Sequence, residues 1–201
     1  MESIYGEFEN TLEHVKNDIV ERLLSYQDTV MSETGEKGFE HLTARIKSDE
    51  SMREKCRRKN LPETPESALT ILRDAIGIRV VCSFVDDVYS VIRFIRGLVN
   101  CEIIEEKDYI KHAKPNGYRS YHMVIAVKTE RKDVLGNVPG VYYAELQIRT
   151  IAMDTWAALE HSMKYKKDIP DQELLVAELK RVADELASCD LSMKTIRELI
   201  N

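Results

Sequence analysis

The sequence predicts one domain of the α/β (α+β) class, with strands in the middle of the chain and helices before, between and after them. Segments rich in β-branched residues are confined to residues 75–149. Apolar residues recur at three- and four-residue spacing on both sides of that region, which is typical of amphipathic helices. The 201 residues are enough for one domain with a substantial core, and a second full domain is not expected.

Helices are predicted for most of the first 72 residues. Residues 4–32 show a helical apolar stripe, made of Phe8, Leu12, Val15, Ile19 and Leu23. Gly35 and Gly38 break this pattern, and a second helix is predicted to begin near Phe39. Residues 49–60 form a short helix capped at Ser48 or Asp49, and residues 64–72 form another, with Thr64 as its N-cap and Pro65 at its first position.

Strands and helices alternate in the remainder of the chain. The predicted strands are residues 75–84, 101–110, 119–128 and 141–149, the last two joined by a turn containing residues 136–140. Helices are predicted over about 85–98 and over 150–166, and Pro170 breaks the chain before a last helix at 171–200.

The last helix carries an apolar seam with a 4-3-4-3 spacing: Leu175, Leu179, Val182, Leu186, Cys189, Met193, Ile196 and Ile200. Such a heptad-type seam is narrower than a general core-facing stripe. It fits a helix that packs on its own domain, and it fits equally a helix that also packs on another subunit.

Composition predicts a cytoplasmic protein. No apolar stretch is long enough to span a membrane, and the N-terminus lacks the basic and apolar regions of a signal peptide. The four cysteines, Cys56, Cys82, Cys101 and Cys189, show no metal-binding spacing and are expected to be free thiols. A net charge of −6 argues against extensive binding to DNA or other nucleic acid.

One segment departs from this acidic balance. Seven basic residues lie between positions 45 and 59: Arg45, Lys47, Arg53, Lys55, Arg57, Arg58 and Lys59. A local basic segment in an acidic chain indicates a confined anionic ligand. The four residues Lys47, Ser51, Lys55 and Arg58 are spaced four, four and three, so those on the helix share one face that suits phosphate oxygens. A solvated surface is the alternative.

Asp74 and Arg79 form a second group of interest. Asp74 stands at the start of the strand 75–84 and is a candidate Mg²⁺ ligand or a cap. In a regular strand, two residues five positions apart face opposite sides. If both line one site, Asp74 must precede the pleat or a bulge near Gly77 must intervene.

The last two strands each place polar residues on one face. Tyr118, Ser120 and His122 follow the tight turn at Asn116-Gly117, where an aromatic ring could stack on a base or simply belong to a hairpin. On the strand 141–149, one face carries Tyr143, Glu145, Gln147 and Arg149. Glu145 is a candidate general base or second metal ligand, although a solvent-facing strand would show the same pattern.

Together these segments resemble the synthetase domain of the RelA/SpoT family. The motifs are Arg45-x-Lys47-x-x-x-Ser51-x-x-x-Lys55-x-x-Arg58, RDAIGIRVVCSF at 73–84, KDYIKHAKPNGYRSYH at 107–122 and AELQIRTIAMDTWAALEHSMKYK at 144–166. The resemblance covers about residues 35–168 and implies a nucleotidyltransferase-like domain with a central mixed β-sheet. The short length is similar to that of the small alarmone synthetases, which lack a hydrolase domain.

The resemblance implies an enzyme that transfers the β,γ-pyrophosphate of ATP to the 3′-hydroxyl of GDP or GTP, with Mg²⁺ as cofactor. Arg45 and Arg79 would enclose the adenine of ATP, and Lys47, Ser51, Lys55 and Arg58 would hold its phosphates. Asp74 and Glu145 would be the catalytic and metal-binding carboxylates. Tyr118 would stack on the acceptor guanine, with Lys114, Asn116, His122 and Gln147 nearby. Ala113 stands where many relatives have proline, which predicts a more mobile loop before Lys114.

The resemblance further implies a cytosolic homotetramer in which the last helix is a subunit contact. Single-stranded RNA is a separate candidate partner. One alternative keeps the chemistry and changes the acceptor to an adenine nucleotide or the 3′ end of tRNA. Another is a non-catalytic oligomeric protein that binds nucleotides or RNA. The presence of both Asp74 and Glu145 counts against the second alternative.

Overall fold

The computed structural model describes residues 3–164 and 171–200. Its centre is a sheet of five strands: β1 (His41–Ile46), β2 (Ile76–Cys82), β3 (Cys101–Asp108), β4 (Tyr121–Thr129) and β5 (Gly140–Thr150). The strand order is β1-β2-β5-β4-β3. Strands β2 and β5 are parallel and the other three pairs are antiparallel, so the sheet is mixed. The predicted fold class is therefore confirmed.

Five α-helices surround the sheet: α1 (Glu9–Thr34), α2 (Asp49–Arg58), α3 (Val85–Arg96), α4 (Ile151–Lys164) and α5 (Gln172–Ile200). Helix α1 ends at Gly35, whose positive φ of 73° provides a left-handed C-cap. Three sequence predictions lie outside the described residues. They are the C-terminal end of the helix 150–166, the C-terminal end of the family core 35–168 and the break at Pro170.

The predicted helix near Phe39 is wrong, because strand β1 occupies this region. Leu42, Ala44 and Ile46 pack on the core and alternate with exposed residues. This strand lies at the edge of the sheet and has polar residues on its outer face, so its composition gives only a weak strand pattern. Its pairing with β2 decides its conformation.

The segment predicted to be a helix at 64–72 is a shorter π-helical turn at Ser67–Ile71. Thr64 nevertheless acts as predicted, since its hydroxyl accepts a hydrogen bond from the Ser67 amide at 3.3 Å. The cap of α2 is also as predicted, with the Ser48 hydroxyl accepting from the Ser51 amide.

The two faces of the sheet differ in polarity. Alternate residues of β5 (Ala144, Leu146 and Ile148) are fully buried with Ile76 and Val80 of β2, on the side where α1 and α3 pack. The opposite face carries the polar residues of β5, with α4 at its end. This separation leaves one face of the sheet available for a ligand.

Helix α5 is anchored to the domain at several points. Leu179 and Ala183 pack with Trp156 of α4 in a second apolar cluster. The Thr150 hydroxyl donates to Asp190 at 2.8 Å, and Arg197 donates to Asp87 at 2.7 Å. Beyond these contacts the seam is uncovered, since Met193, Ile196 and Ile200 are 47%, 56% and 78% exposed. Part of the seam packs on its own domain and its end does not.

All four cysteines are free thiols, as predicted, with Cys56 and Cys82 buried. Within the described ranges, no helix combines the length and apolar character needed to span a membrane.

A buried carboxylate fixes the turn between β4 and β5. Asp133 accepts hydrogen bonds from the amides of Leu135, Asn137 and Val141 and from the Asn137 side chain, at 2.9 to 3.2 Å. Burial alone would raise the pKa of Asp133, but these hydrogen bonds outweigh it and hold the pKa below its usual value. The turn sets the register of β4 against β5, and a slip by one residue would invert both faces.

We expect Asp133→Ala to lower the free energy of unfolding by about 3 kcal/mol, because three backbone amides and the Asn137 side chain lose a charged acceptor. Urea unfolding measures this change, and Glu130→Ala at an exposed neighbouring position is the control. The lowered pKa means that the contribution of Asp133 is complete above the unfolded-state pKa of about 3.9 and is lost as the pH falls below it. An unfolding midpoint equal to that of the control would contradict this role.

Candidate active site

A cleft of about 670 Å³ lies on the polar face of the sheet. It is bounded by β1, β2 and β5 and by α4. Its lining residues are Thr43, Ala44, Arg45, Lys47, Asp74, Gly77, Ile78, Arg79, Tyr118, Glu145, Gln147, Arg149, Ala157, Ala158, Glu160 and His161. Seven of the predicted site residues are in this set: Arg45, Lys47, Asp74, Arg79, Tyr118, Glu145 and Gln147.

Strand register brings these residues together. Gly77 of β2 pairs with Arg45 on one side and with Glu145 on the other. One step along the same face, Arg79 pairs with Gln147, which in turn pairs with His122 of β4. Gly77 has no side chain, so the floor of the cleft stays open between Arg45 and Glu145.

Asp74 lies just before β2 begins at Ile76, and Arg73 before it has a positive φ of 56°. Asp74 therefore precedes the pleat, which is how it and Arg79 line one cleft without a bulge. Its Oδ2 accepts from the ammonium groups of Lys47 at 2.6 Å and Lys55 at 2.5 Å. Its Oδ1 is buried and has no hydrogen-bond partner.

The unpaired Oδ1 atom of Asp74 fits a ligand for a hard divalent cation. Mg²⁺ is typically held by one or two carboxylates together with phosphate oxygens and water. Across residues 3–164 and 171–200, no group of three acidic, histidine or cysteine side chains forms a complete metal cage. A cation at Asp74 would therefore need ligands from a bound phosphate group.

Glu145 lies in the middle of β5 and is half-buried in the cleft. The Nδ1 atom of His122 is 3.7 Å from its Oε1. The neighbouring His122 lowers the pKa of Glu145, and this outweighs the opposing effect of burial. Glu145 is therefore an ionised carboxylate at neutral pH, and it can accept a proton or contact a cation.

Tyr118 forms the wall of the cleft opposite β1. Its hydroxyl is 2.7 Å from His122 Nε2, and the Lys114 ammonium lies 4.8 Å from the centre of its ring. Burial raises the pKa of Tyr118, so the phenol stays neutral. The Asn116 side chain accepts from the Tyr118 amide at 3.2 Å and donates to Glu160 at 3.1 Å. Lys114 and Asn116 thus surround Tyr118 without lining the cleft.

The other predicted residues lie farther from the floor of the cleft. Lys55 and His122 reach it through their contacts with Asp74 and Glu145. Ser51 is exposed in the first turn of α2, where its hydroxyl accepts from Ser48 at 2.8 Å. Arg58 is exposed in the last turn of that helix and is outside the cleft lining.

An ionic cluster with no predicted role lies at the end of β5. Arg149 is 2% exposed, donates to Gln147, and lies 3.6 Å from the Asp154 carboxylate. Arg79 is 3.4 Å from the same carboxylate. Burial lowers the pKa of Arg149. Strand alternation placed Arg149 on the correct face, but Asp154 belongs to α4 and nothing in the sequence indicated its contact with Arg79.

Comparison with known proteins gives consistent matches. Residues 44–170 match the family described as "Region found in RelA / SpoT proteins". The chain is 38% identical over 169 residues to the GTP pyrophosphokinase YwaC of Bacillus subtilis, covering 83% of this chain and 78% of that protein. It is 34% identical over 161 residues to GTP pyrophosphokinase YjbM of the same organism, covering 79% and 72%.

Solved structures agree with these matches. The small alarmone synthetase 1 of B. subtilis bound to its product pppGpp superimposes with a TM-score of 0.78 at 29% identity, covering 94% of this chain and 93% of that one. A GTP pyrophosphokinase family protein from Streptococcus pneumoniae gives a TM-score of 0.81 at 33% identity, covering 96% and 93%.

We expect His122→Asn to raise the pKa of Glu145, because the imidazole is the main cause of its lowered value. Carboxyl-carbon NMR titration measures this pKa directly. His41→Asn, at an exposed position of β1, is the matched control. A Glu145 pKa that stays the same in both variants would contradict the electrostatic role assigned to His122.

Proposed function

The chain belongs to the RelA/SpoT family, and we propose that it is a small alarmone synthetase that transfers the β,γ-pyrophosphate of ATP to the 3′-hydroxyl of GDP or GTP and releases AMP. The observation that carries this proposal is the single cleft in which Asp74 and Glu145 meet Arg45, Arg79 and Tyr118. Its open floor accommodates a polyphosphate between two nucleoside-binding walls.

The donor half of the cleft fits ATP. Arg45 and Arg79 are diagonal neighbours on β1 and β2, since Arg45 pairs with Gly77. Diagonal neighbours in a sheet are about 7–8 Å apart, roughly twice the stacking distance of two planar groups. An adenine ring therefore fits between the two guanidinium groups, with cation–π attraction on both faces.

Basic side chains beside the adenine position provide contacts for the phosphates. Lys47 and Lys55 converge on Asp74, and both ammonium groups can turn to phosphate oxygens while staying near that carboxylate. Ser51 and Arg58 of α2 are exposed and lie outside the cleft lining, and we assign them contacts with the phosphate farthest from the adenine. In the free protein Asp74 is the anionic partner of both lysines, and in the complex the phosphates of ATP would share that role.

Asp74 and Glu145 are the residues that would hold Mg²⁺. The unpaired Asp74 Oδ1 supports this assignment for the first of them. When bound, the cation would neutralise charge on the phosphate oxygens and help to align them. Pyrophosphate transfer needs mainly alignment and charge neutralisation, which the lysines and arginines of the donor half also supply.

The acceptor half of the cleft is built around Tyr118. Its ring would stack on the guanine, while Asn116 and Lys114 hold the loop and Gln147 and His122 lie towards the sugar. The 3′-hydroxyl oxygen attacks the β-phosphorus as the bond from that phosphorus to the α-phosphate oxygen breaks. AMP leaves with this oxygen, and Glu145 takes the hydroxyl proton.

We propose further that the protein is a cytoplasmic homotetramer in which the uncovered end of the α5 seam is a subunit contact. Three apolar residues along this seam, Met193, Ile196 and Ile200, are about half or more exposed within one chain. A second copy of the chain would remove these residues from water.

We expect Glu145→Gln to retain ATP and GDP binding and to lose turnover by about 10²- to 10⁴-fold, the usual contribution of a general base. Binding is measured by calorimetry and turnover by chromatography of AMP and ppGpp. Glu102→Gln, at an exposed position of β3, is the matched control and should keep full activity. Turnover of Glu145→Gln close to that of the control would contradict the assignment.

We expect light scattering to give a mass about four times the 23.2 kDa of one chain. Ile196→Lys should reduce this mass, because it places a charge in the apolar contact. Glu198→Lys introduces the same residue two positions away, on the opposite side of the helix, and should leave the mass unchanged. A 23.2 kDa species for the unmodified chain would contradict the proposed assembly.

A further inference from the structure

The loop at residues 114–119 rests directly on helix α5. Gly117 has a φ of +91°, and a Cβ atom built there would lie 2.5 Å from the Ala183 Cβ and 3.4 Å from the Lys180 Cα. Those separations leave no space for a side chain on the loop or for a larger one at position 183. Glycine and alanine thus permit a contact in which the loop backbone touches the helix surface.

Arg119 fastens the loop to the same turn of the helix. Its NH1 donates to the Ala183 carbonyl at 3.0 Å, and its NH2 donates to the Asp184 carboxylate at 3.3 Å. Arg119 is absent from the lining of the cleft, because its side chain extends to α5 instead. The proposed transfer reaction leaves Arg119 without a role.

Trp156 connects the helix to the cleft from the other side. Its indole N–H donates to the Leu179 carbonyl at 2.7 Å, one turn before Ala183, and the side chain is 2% exposed. Its ring lies 6.1 Å from the Tyr118 ring, centre to centre. Tyr118 is therefore held between a loop seated on α5 and an indole bonded to α5.

We infer that Ala183 and Arg119 are positioning residues. Through the loop at residues 114–119, the surface of α5 determines the position of the Tyr118 ring in the cleft, and thereby the affinity for the acceptor nucleotide. This inference rests on the proposed function, in which Tyr118 stacks on the guanine. The donor residues Arg45, Lys47 and Arg79 lie on or beside β1 and β2, and α5 contributes no residue to the described lining of the cleft. A change at the α5 surface therefore acts on the acceptor and spares ATP.

The first test enlarges the helix surface. Ala183→Val adds two methyl groups at the contact with Gly117 and should raise the KM for GDP and the GDP dissociation constant by roughly tenfold. The KM for ATP and the kcat at saturating GDP should stay within about twofold of the unmodified chain. Ala177→Val makes the same substitution at an exposed position of α5, controls for helix propensity, and should leave all four values unchanged.

The second test removes the hydrogen bonds from Arg119 to α5 without adding volume at the contact. Arg119→Ala should weaken GDP binding in the same selective way, and Arg119→Lys should restore part of it, because lysine can still donate to α5. Trp156 is the single tryptophan of the chain and reports on the same region without any turnover. Acrylamide quenching of its fluorescence in the nucleotide-free protein should increase in Ala183→Val and Arg119→Ala but not in Ala177→Val.

The inference is supported if Ala183→Val and Arg119→Ala lose affinity for GDP but not for ATP and show increased quenching. Their thermal unfolding must remain cooperative. Equal GDP dissociation constants for Ala183→Val, Arg119→Ala and Ala177→Val would overturn it, as would equal losses of ATP and GDP affinity. If Ala183→Val fails to fold, the Arg119 pair decides. Failure of the proposed function can be distinguished from failure of this inference. It would appear as an absence of transfer by the unmodified chain, whereas GDP binding and fluorescence quenching could still be compared among the variants.

Discussion

The parallel pairing of β2 with β5 is the constraint on which the rest of the site depends. It places Gly77 beside Glu145 and Arg79 beside Gln147, and it brings Asp74, just ahead of β2, to the same face. A register shift of one residue would bury Glu145 in the core and turn Leu146 into the cleft. The antiparallel neighbours then complete the cleft, with Arg45 of β1 on one side and His122 of β4 on the other.

The charged side chains of the cleft are arranged to favour the binding of a polyanion. Two lysines share one oxygen of Asp74, which leaves excess positive charge near that carboxylate. At the other end, the Asp154 carboxylate lies 3.4 Å from Arg79 and 3.6 Å from the buried Arg149, which is ion-pair distance without a hydrogen bond to Oδ1. These pairs fix long side chains in place before any nucleotide binds, so less conformational entropy is lost on binding. The chain as a whole stays acidic, with a net charge of −6.

Sequence periodicity was sufficient where the buried face of an element has a strong apolar pattern, as in α1 and β5. The alternation in β5 correctly separated Glu145 and Gln147 from Leu146 and Ile148. For Asp74 the sequence left two possibilities, a position ahead of the pleat or a bulge near Gly77, and the structure shows the first. Periodicity failed at β1, where an edge strand with a polar outer face has little pattern of its own. The pairing of Asp154 with Arg79 and the contact of Ala183 with Gly117 were also inaccessible, because each joins segments that only tertiary packing brings together.

If one cleft joins ATP to a guanosine 3′-hydroxyl, the protein must prefer a guanosine nucleotide over other acceptors. The purified chain would be incubated with γ-labelled ATP and Mg²⁺ and, in separate reactions, with GMP, GDP, GTP, ADP or tRNA. The account predicts that the label appears on GDP or GTP together with one equivalent of AMP. Label on ADP or tRNA alone, or on none of the acceptors, would contradict it.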